Sequence, residues 1–223
     1  MACASAGIVI GIVSLTGLGV RFTQLIISLS GGYLFPALLL TMVACIILGM
    51  GLPTTAAYII TSVLAVPALT SLGIPVMAAH LFILYFAIIS FITPPVAISA
   101  FAASGIAGSD SMKTGFTAFR IGIAGFIVPF MFVYGPSLIF IGAWWLILMN
   151  TAKALLGVVL LAGSLEGWFF NRRLKPVYRI FIGLAAVFLI FPRLWSGLVG
   201  LAFMLISFLL IVILEKTVMY KSV

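Results

Sequence analysis

The feature that most constrains this chain is a pair of adjacent prolines set in an apolar run. Ser90-Phe91-Ile92-Thr93-Pro94-Pro95-Val96-Ala97-Ile98-Ser99 lies within a stretch, Ala78 to Ala107, that holds no acid and no Lys or Arg. Each proline removes a backbone N–H, and its ring blocks the carbonyl one turn back. Thr93 and Pro94, the residues preceding the two rings, are pushed toward extended geometry. No helix passes this point intact. Unpaired carbonyls are costly in hydrocarbon, so such a break persists only inside protein or beside a polar cavity.

Composition says which solvent to reason in. The 223 residues are 65% hydrophobic and 6% charged, with a mean hydropathy of +1.44, which excludes a soluble domain. Apolar runs of helical length without strand alternation make the fold class an all-α polytopic membrane protein and not a barrel. Eleven Lys/Arg against three acids give +8, read here as the positive-inside bias and not as a nucleic-acid footprint. Arg172, Arg173, Lys175 and Arg179 read as one short cytoplasmic loop, and Lys216 and Lys221 place the C-terminus on the same side. Cys3 and Cys45 lie in apolar segments and read as small packing residues. Met1 leads into Ala-Cys-Ala-Ser-Ala-Gly with no basic region ahead of it, unlike a signal peptide. The expectation is a chain that begins inside a larger protein.

Along the chain, Ala2 to Val20 is predicted to cross once, with Gly7 and Gly11 offering a close-approach face. Arg21 marks its end, and Phe22 to Ser30 reads as an interfacial segment closed by Gly31-Gly32. Leu34 to Leu69 is interrupted by Gly49-Met50-Gly51-Leu52-Pro53-Thr54-Thr55, a poor composition for a continuing helix. It predicts a re-entrant hairpin with arms Leu34–Leu48 and Thr55–Leu69; two full crossings joined by a tight turn is the alternative. Val76 to Ala107 is predicted as a discontinuous helix interrupted at Thr93–Pro95. Ser109 or Asp110 is the natural N-cap of the next helix, which runs to about Tyr134 and stops at Gly135-Pro136. Trp144-Trp145 reads as an interfacial anchor. Crossings over Thr151–Leu165, Val177–Phe191 and Leu198–Leu214 form a packing appendage. This divides the chain into 1–141, with its hairpin tip at 49–58 and helix break at 92–97, and a C-terminal extension, 142–223.

Two breaks meeting at a bilayer midplane present carbonyls and hydroxyl oxygens suited to Na⁺, and half-helix N-termini suited to an anion. Thr54 and Thr55 at the tip, and Ser90, Thr93 and Ser99 around the break, are the candidate hydroxyls. The plain alternative for each is a bond to its own helix backbone. His80, the single histidine, reads first as a packing residue and second as a protonation switch. Arg120 lies close enough to a helix end to snorkel, and Lys153 is placed near one. Asp110, Glu166 and Glu215 fall in loops or at the terminus. Nucleophile–base pairs, Walker loops and zinc spacings are absent from the sequence, so no enzyme is expected.

Gly49-Met-Gly-Leu-Pro-Thr-Thr-Ala-Ala-Tyr58, Ile92-Thr-Pro-Pro-Val-Ala97, Ala103-Ser-Gly-Ile-Ala-Gly-Ser-Asp110 and Thr114-Gly-Phe-Thr-Ala-Phe-Arg120 together resemble the large membrane subunit of TRAP transporters, over about Ala2 to Phe140. They most resemble the fused permeases of the TAXI branch, whose C-terminal extension the tail from Gly142 also resembles. The resemblance implies the second half of an inverted repeat in an ion-coupled transporter, with a re-entrant hairpin and a discontinuous helix, plus three extra transmembrane helices. It implies import of a carboxylate coupled to a sodium or proton gradient. Na⁺ is then the coupling ion, with no other cofactor. Its partners would be an extracytoplasmic substrate-binding protein, the first-repeat half and small-subunit region of the permease, and membrane lipid. The location would be the prokaryotic cytoplasmic (inner) membrane, multi-pass. The site it implies falls on Gly51, Thr54, Thr55, Thr93 and Pro94, with Gly49, Ser90 and Ser99 beside them and Na⁺ near Thr54, Thr55 and Thr93. Phe91 departs from the small or polar residue expected before Ile-Thr-Pro-Pro. The competing reading is a non-transporting membrane scaffold or a truncated permease remnant.

Overall fold

A computed structural model describes residues 2–169, 172–191 and 195–207. The described chain divides into two compact units, 1–133 and 134–223. Apart from one two-residue antiparallel pairing, Trp168–Phe169 with Arg172–Arg173, its regular elements are helices.

The first unit opens with α1 (Ala2–Thr16) and α2 (Leu18–Ser30), which meet at a 69° bend. The bend lies at Gly17 and not at Arg21 as the charge pattern had placed it. Gly17 adopts φ +65°, a left-handed conformation that glycine takes without a Cβ penalty; Arg21 is exposed within α2. The Gly7–Gly11 face also departs from expectation. A Cβ on either glycine would meet nothing within 4 Å. Gly31 closes α2 at φ +60°, its N–H donating to the Ile27 and Ser28 carbonyls.

Helices α3 (Leu34–Gly49) and α4 (Thr54–Ser71) are joined by four residues. Ala37, near the start of α3, and Ala68, near the end of α4, share one buried cluster with Ile26. The chain therefore doubles back into an antiparallel helical hairpin. Its buried seams are read every fourth residue: Ala37, Thr41, Cys45 and Gly49 on α3, then Ala57, Thr61, Ala65 and Leu69 on α4. Small side chains at four-residue spacing let helix backbones approach closely in an apolar solvent, where no hydrophobic driving force pulls helices together.

The discontinuous helix is present. α5 (Val76–Ile89) continues as a 3-10 turn at Ser90–Ile92, and α6 (Ile98–Ala107) resumes five residues later. Thr93 is extended, at φ −98° and ψ 120°, as the proline that follows requires. α5 packs against both arms of the hairpin. α7 (Ser111–Tyr134) starts where expected: Asp110 Oδ1 accepts from the Lys113 N–H at 2.8 Å.

The second unit holds α8 (Trp144–Glu166), α9 (Pro176–Ile190) and α10 (Trp195–Ser207). α8 begins at the two tryptophans themselves, so Trp144 and Trp145 form its first turn and do not precede the crossing. Lys153 consequently lies well inside the helix, not near its end, packed beside Gly197 of α10. Arg179 leaves the basic loop for the first turn of α9. Its guanidinium donates from Nε to the Ser164 carbonyl at 2.8 Å and from Nη2 to the Leu165 carbonyl at 2.6 Å. These are end carbonyls of α8 that lack an intrahelical partner. Glycines carry the packing: a Cβ on Gly157 would lie 3.1 Å from the Ala186 carbonyl oxygen, and one on Gly200 3.1 Å from that of Ala185. Lys216 and Lys221, on which the C-terminal placement rests, lie outside the described residues.

By length and composition, α4, α7 and α8 can each cross a membrane, and the bent α1–α2 pair passes the same test only with its two helices taken together, as a broken span or a re-entrant loop. α3, α6, α9 and α10 are shorter apolar helices, as is the α5 segment with its 3-10 turn.

Candidate functional site

The hairpin and the broken helix meet where α3 and α5 end. At the C-terminal end of α3, a Cβ on Gly49 would lie 2.9 Å from Ser90 Oγ and 3.2 Å from the Ala87 carbonyl oxygen. Only glycine allows the hairpin to close this tightly on the end of α5. Gly51, two residues on, makes the turn at φ +80°.

The candidate hydroxyls divide into two groups. Ser90 and Thr93 are buried. Ser90 Oγ donates to the Ala87 carbonyl at 2.6 Å, and Thr93 Oγ1 to the Ile89 carbonyl at 2.8 Å. Both take the backbone bond that membrane-helix hydroxyls commonly form. Their lone pairs still accept or coordinate, and Thr93, whose N–H turns to the Ser90 carbonyl, serves the Ile89 carbonyl with its hydroxyl instead. Thr54, Thr55 and Ser99 are exposed. They occupy the first turns of α4 and α6, whose N-cap residues, Pro53 and Ala97, make no side-chain cap. The ladder of α4 starts with the Ala57 N–H donating to the Pro53 carbonyl, and that of α6 with Phe101 N–H to Ala97. The N–H groups of Thr54–Ala56 and Ile98–Ala100 precede those bonds. Each break thus ends in a positive helix terminus that favours an anion. Pro94 is half-buried.

Two features escaped the reading of the sequence. First, α7 braces the break through glycines. A Cβ on Gly115 would meet Phe101, Ala97 and Pro94, and one on Gly122 would come 2.5 Å from Ile92 Cδ1. Gly115 and Gly122 are two turns apart and share a face, a spacing visible in the sequence but with no named partner. Second, Tyr58 Oη and His80 Nδ1 lie 2.9 Å apart, joining the second hairpin arm to α5. Both side chains are half-buried. Tyr58 belongs to the tip motif, yet an apolar run does not disclose which helix a tyrosine reaches. Among the described residues no His/Cys/Asp/Glu group of three or more is placed to hold a metal ion.

A helical hairpin turning against a broken helix, in a chain with several spanning helices, defines a multi-pass helical membrane protein. The family model for the tripartite ATP-independent periplasmic transporter DctM component matches residues 1–147, and the chain belongs to that family. The family is that of the large membrane component of TRAP secondary transporters, not of an enzyme, and it implies association with a substrate-binding protein and further subunits. Neither a curated protein nor a solved structure matches the chain.

Proposed function

We propose that the chain is the second inverted-repeat half, with a C-terminal extension, of a TAXI-type permease that imports a carboxylate coupled to a sodium gradient. The observation that carries this reading is the abutment of Gly49 on Ser90 and Ala87, which sets the end of the first hairpin arm against the end of α5 where the helix starts to break. On this reading α3 and α4 are a re-entrant hairpin in the inner membrane, with the basic α8–α9 turn and the C-terminus cytoplasmic. The boundary between permease and extension falls near 141. The N-termini of α4 and α6 receive the substrate carboxylate, where free N–H groups and the helix dipole favour negative charge. Hydroxyl and carbonyl oxygens around Thr54, Thr55 and Thr93, with Ser90 and Ser99 near them, hold Na⁺, a hard cation that takes oxygen ligands. Gly49 and Gly51 shape the turn, and Pro94 keeps the break open. The first-repeat half supplies the rest of the site, and an extracytoplasmic binding protein delivers the substrate.

The test is carboxylate uptake into proteoliposomes under an imposed sodium gradient, with a binding protein added. This chain is compared alone and together with the first-repeat half and small-subunit region. Sodium-dependent uptake only with both is the expected result. No uptake in either case, with both chains inserted, favours the scaffold or remnant reading.

A further inference from the structure

Lys153 is the tenth residue of α8, a mostly apolar helix, and an ionisable side chain in such a helix is costly enough to point to a function. Its neighbours, more than its place in the sequence, say where it lies. A Cβ on Gly197 would come 3.0 Å from Lys153 Cδ and 3.3 Å from Nζ, so the ammonium packs against the first turn of α10. The chain connects α9 to α10 at this end. A connection of that kind belongs at the membrane boundary, because its backbone groups would go unpaired in hydrocarbon. Tryptophans mark the same end: Trp195 opens α10, Trp144 and Trp145 open α8, and all three are more than half exposed. The first two turns of α8 therefore run past the boundary, and Lys153 sits at headgroup depth.

Polar groups gather around it. Asn150, one turn earlier on the same face, is buried, and its amide donates to Ser137 Oγ at 2.8 Å. Ser137 accepts that bond and keeps its own proton to donate, and the amide keeps a second N–H. Lys153 is half-buried, and an ammonium has three donors, enough to serve the protein and a ligand together. Glu166, the acid among the described residues of this unit, ends α8 thirteen residues further on, roughly 20 Å along the axis. Its carboxylate does not reach this end. The cluster is a set of donors around one positive charge, and at headgroup depth the group that fits it is a phosphate carrying net negative charge.

We propose that Lys153, with Asn150 and Ser137, binds the phosphate of an anionic phospholipid and holds that lipid on the C-terminal extension. The inference concerns the second unit alone and does not rest on the transport reading. The basic α8–α9 turn, at the other end of α8, attracts the same lipids by charge without this cluster.

Two measurements separate the two ends. The full chain in detergent is offered equal amounts of phosphatidylglycerol and phosphatidylcholine, and bound lipid is counted by native mass spectrometry. Lys153→Gln is expected to lower the preference for phosphatidylglycerol about five-fold, the contribution of one basic residue beside an anionic headgroup. Lys153→Arg keeps the charge and the preference, and Lys175→Gln, in the basic turn, leaves the first bound lipid in place. An unchanged preference in Lys153→Gln overturns the proposal, as does its loss in Lys175→Gln alone. Amide hydrogen exchange on the wild-type chain needs no variant. Phosphatidylglycerol, and not phosphatidylcholine, is expected to slow exchange over 136–153 and 195–200. Protection confined to 167–179 overturns the proposal. Equal protection by inorganic phosphate also overturns it, because the site would then take a free anion.

Discussion

A Cβ added to Gly49 would sit 2.9 Å from Ser90 Oγ, so the hairpin closes on the broken helix at a point where one extra carbon is already too much. The neighbours there cannot simply yield. Ala87 contributes backbone, and Ser90 Oγ is held by its bond to the Ala87 carbonyl.

Gly49→Val is therefore expected to force the hairpin turn from α5. Overpacking of this kind costs about 1–3 kcal/mol, read as a lower thermal unfolding midpoint in detergent. Uptake by the assembled transporter should fall further than stability does. A variant with wild-type uptake would show that the turn works without this contact.

Thr54→Val combined with Thr93→Val removes one exposed and one buried hydroxyl while keeping the branched shapes. Sodium-dependent uptake is expected to be lost with membrane insertion intact. Thr93→Val alone also gives up its bond to the Ile89 carbonyl, a loss of about 1 kcal/mol in stability. Unchanged sodium-dependent uptake in the double variant takes these two residues out of the site.

Gly122→Leu drives a side chain into Ile92 and should displace α7 from the break, again costing about 1–3 kcal/mol. Ile92→Ala empties the same space and is expected to restore part of the loss. A double-mutant cycle measures this directly, with a coupling of at least about 0.5 kcal/mol expected for residues in contact. Strict additivity would mean the seam is not formed.

In the second unit, Arg179→Lys retains charge but loses the planar fork that spans two carbonyls. A hydrogen bond from a charged donor contributes about 1.5–3 kcal/mol, so faster trypsin cleavage at the α8–α9 turn is expected. Arg179→Gln should behave similarly; cleavage at the wild-type rate in both would dismiss the cap.

The backbone features around the candidate site could be read from the chain because prolines and glycines act locally. Pro94 and Pro95 break a helix wherever they fall, so the interruption between Ile92 and Ile98 was legible, as were the Gly49–Pro53 turn and the Asp110 cap. Element ends in apolar sequence were less so. The charge at Arg21 misplaces the bend at Gly17, and α8 begins seven residues before the predicted crossing at Thr151, because hydrocarbon-facing residues carry no periodic polar face to mark where a helix begins. Arg179 was read as loop because a basic run marks a membrane side, not the donor geometry that draws one member onto a helix end.

What the amino-acid order determined by itself was the solvent, the helical class, the two interruptions and the family motifs along them. Each follows from transfer energy, or from backbone chemistry acting within one turn. Tertiary structure alone decided that Gly49 meets Ser90, that Gly122 lies under Ile92, and that Tyr58 reaches His80. In a chain where nearly every face is apolar, hydrophobicity does not select which face packs against which. That choice falls to steric fit between small residues and to the few hydrogen bonds that link one helix to another.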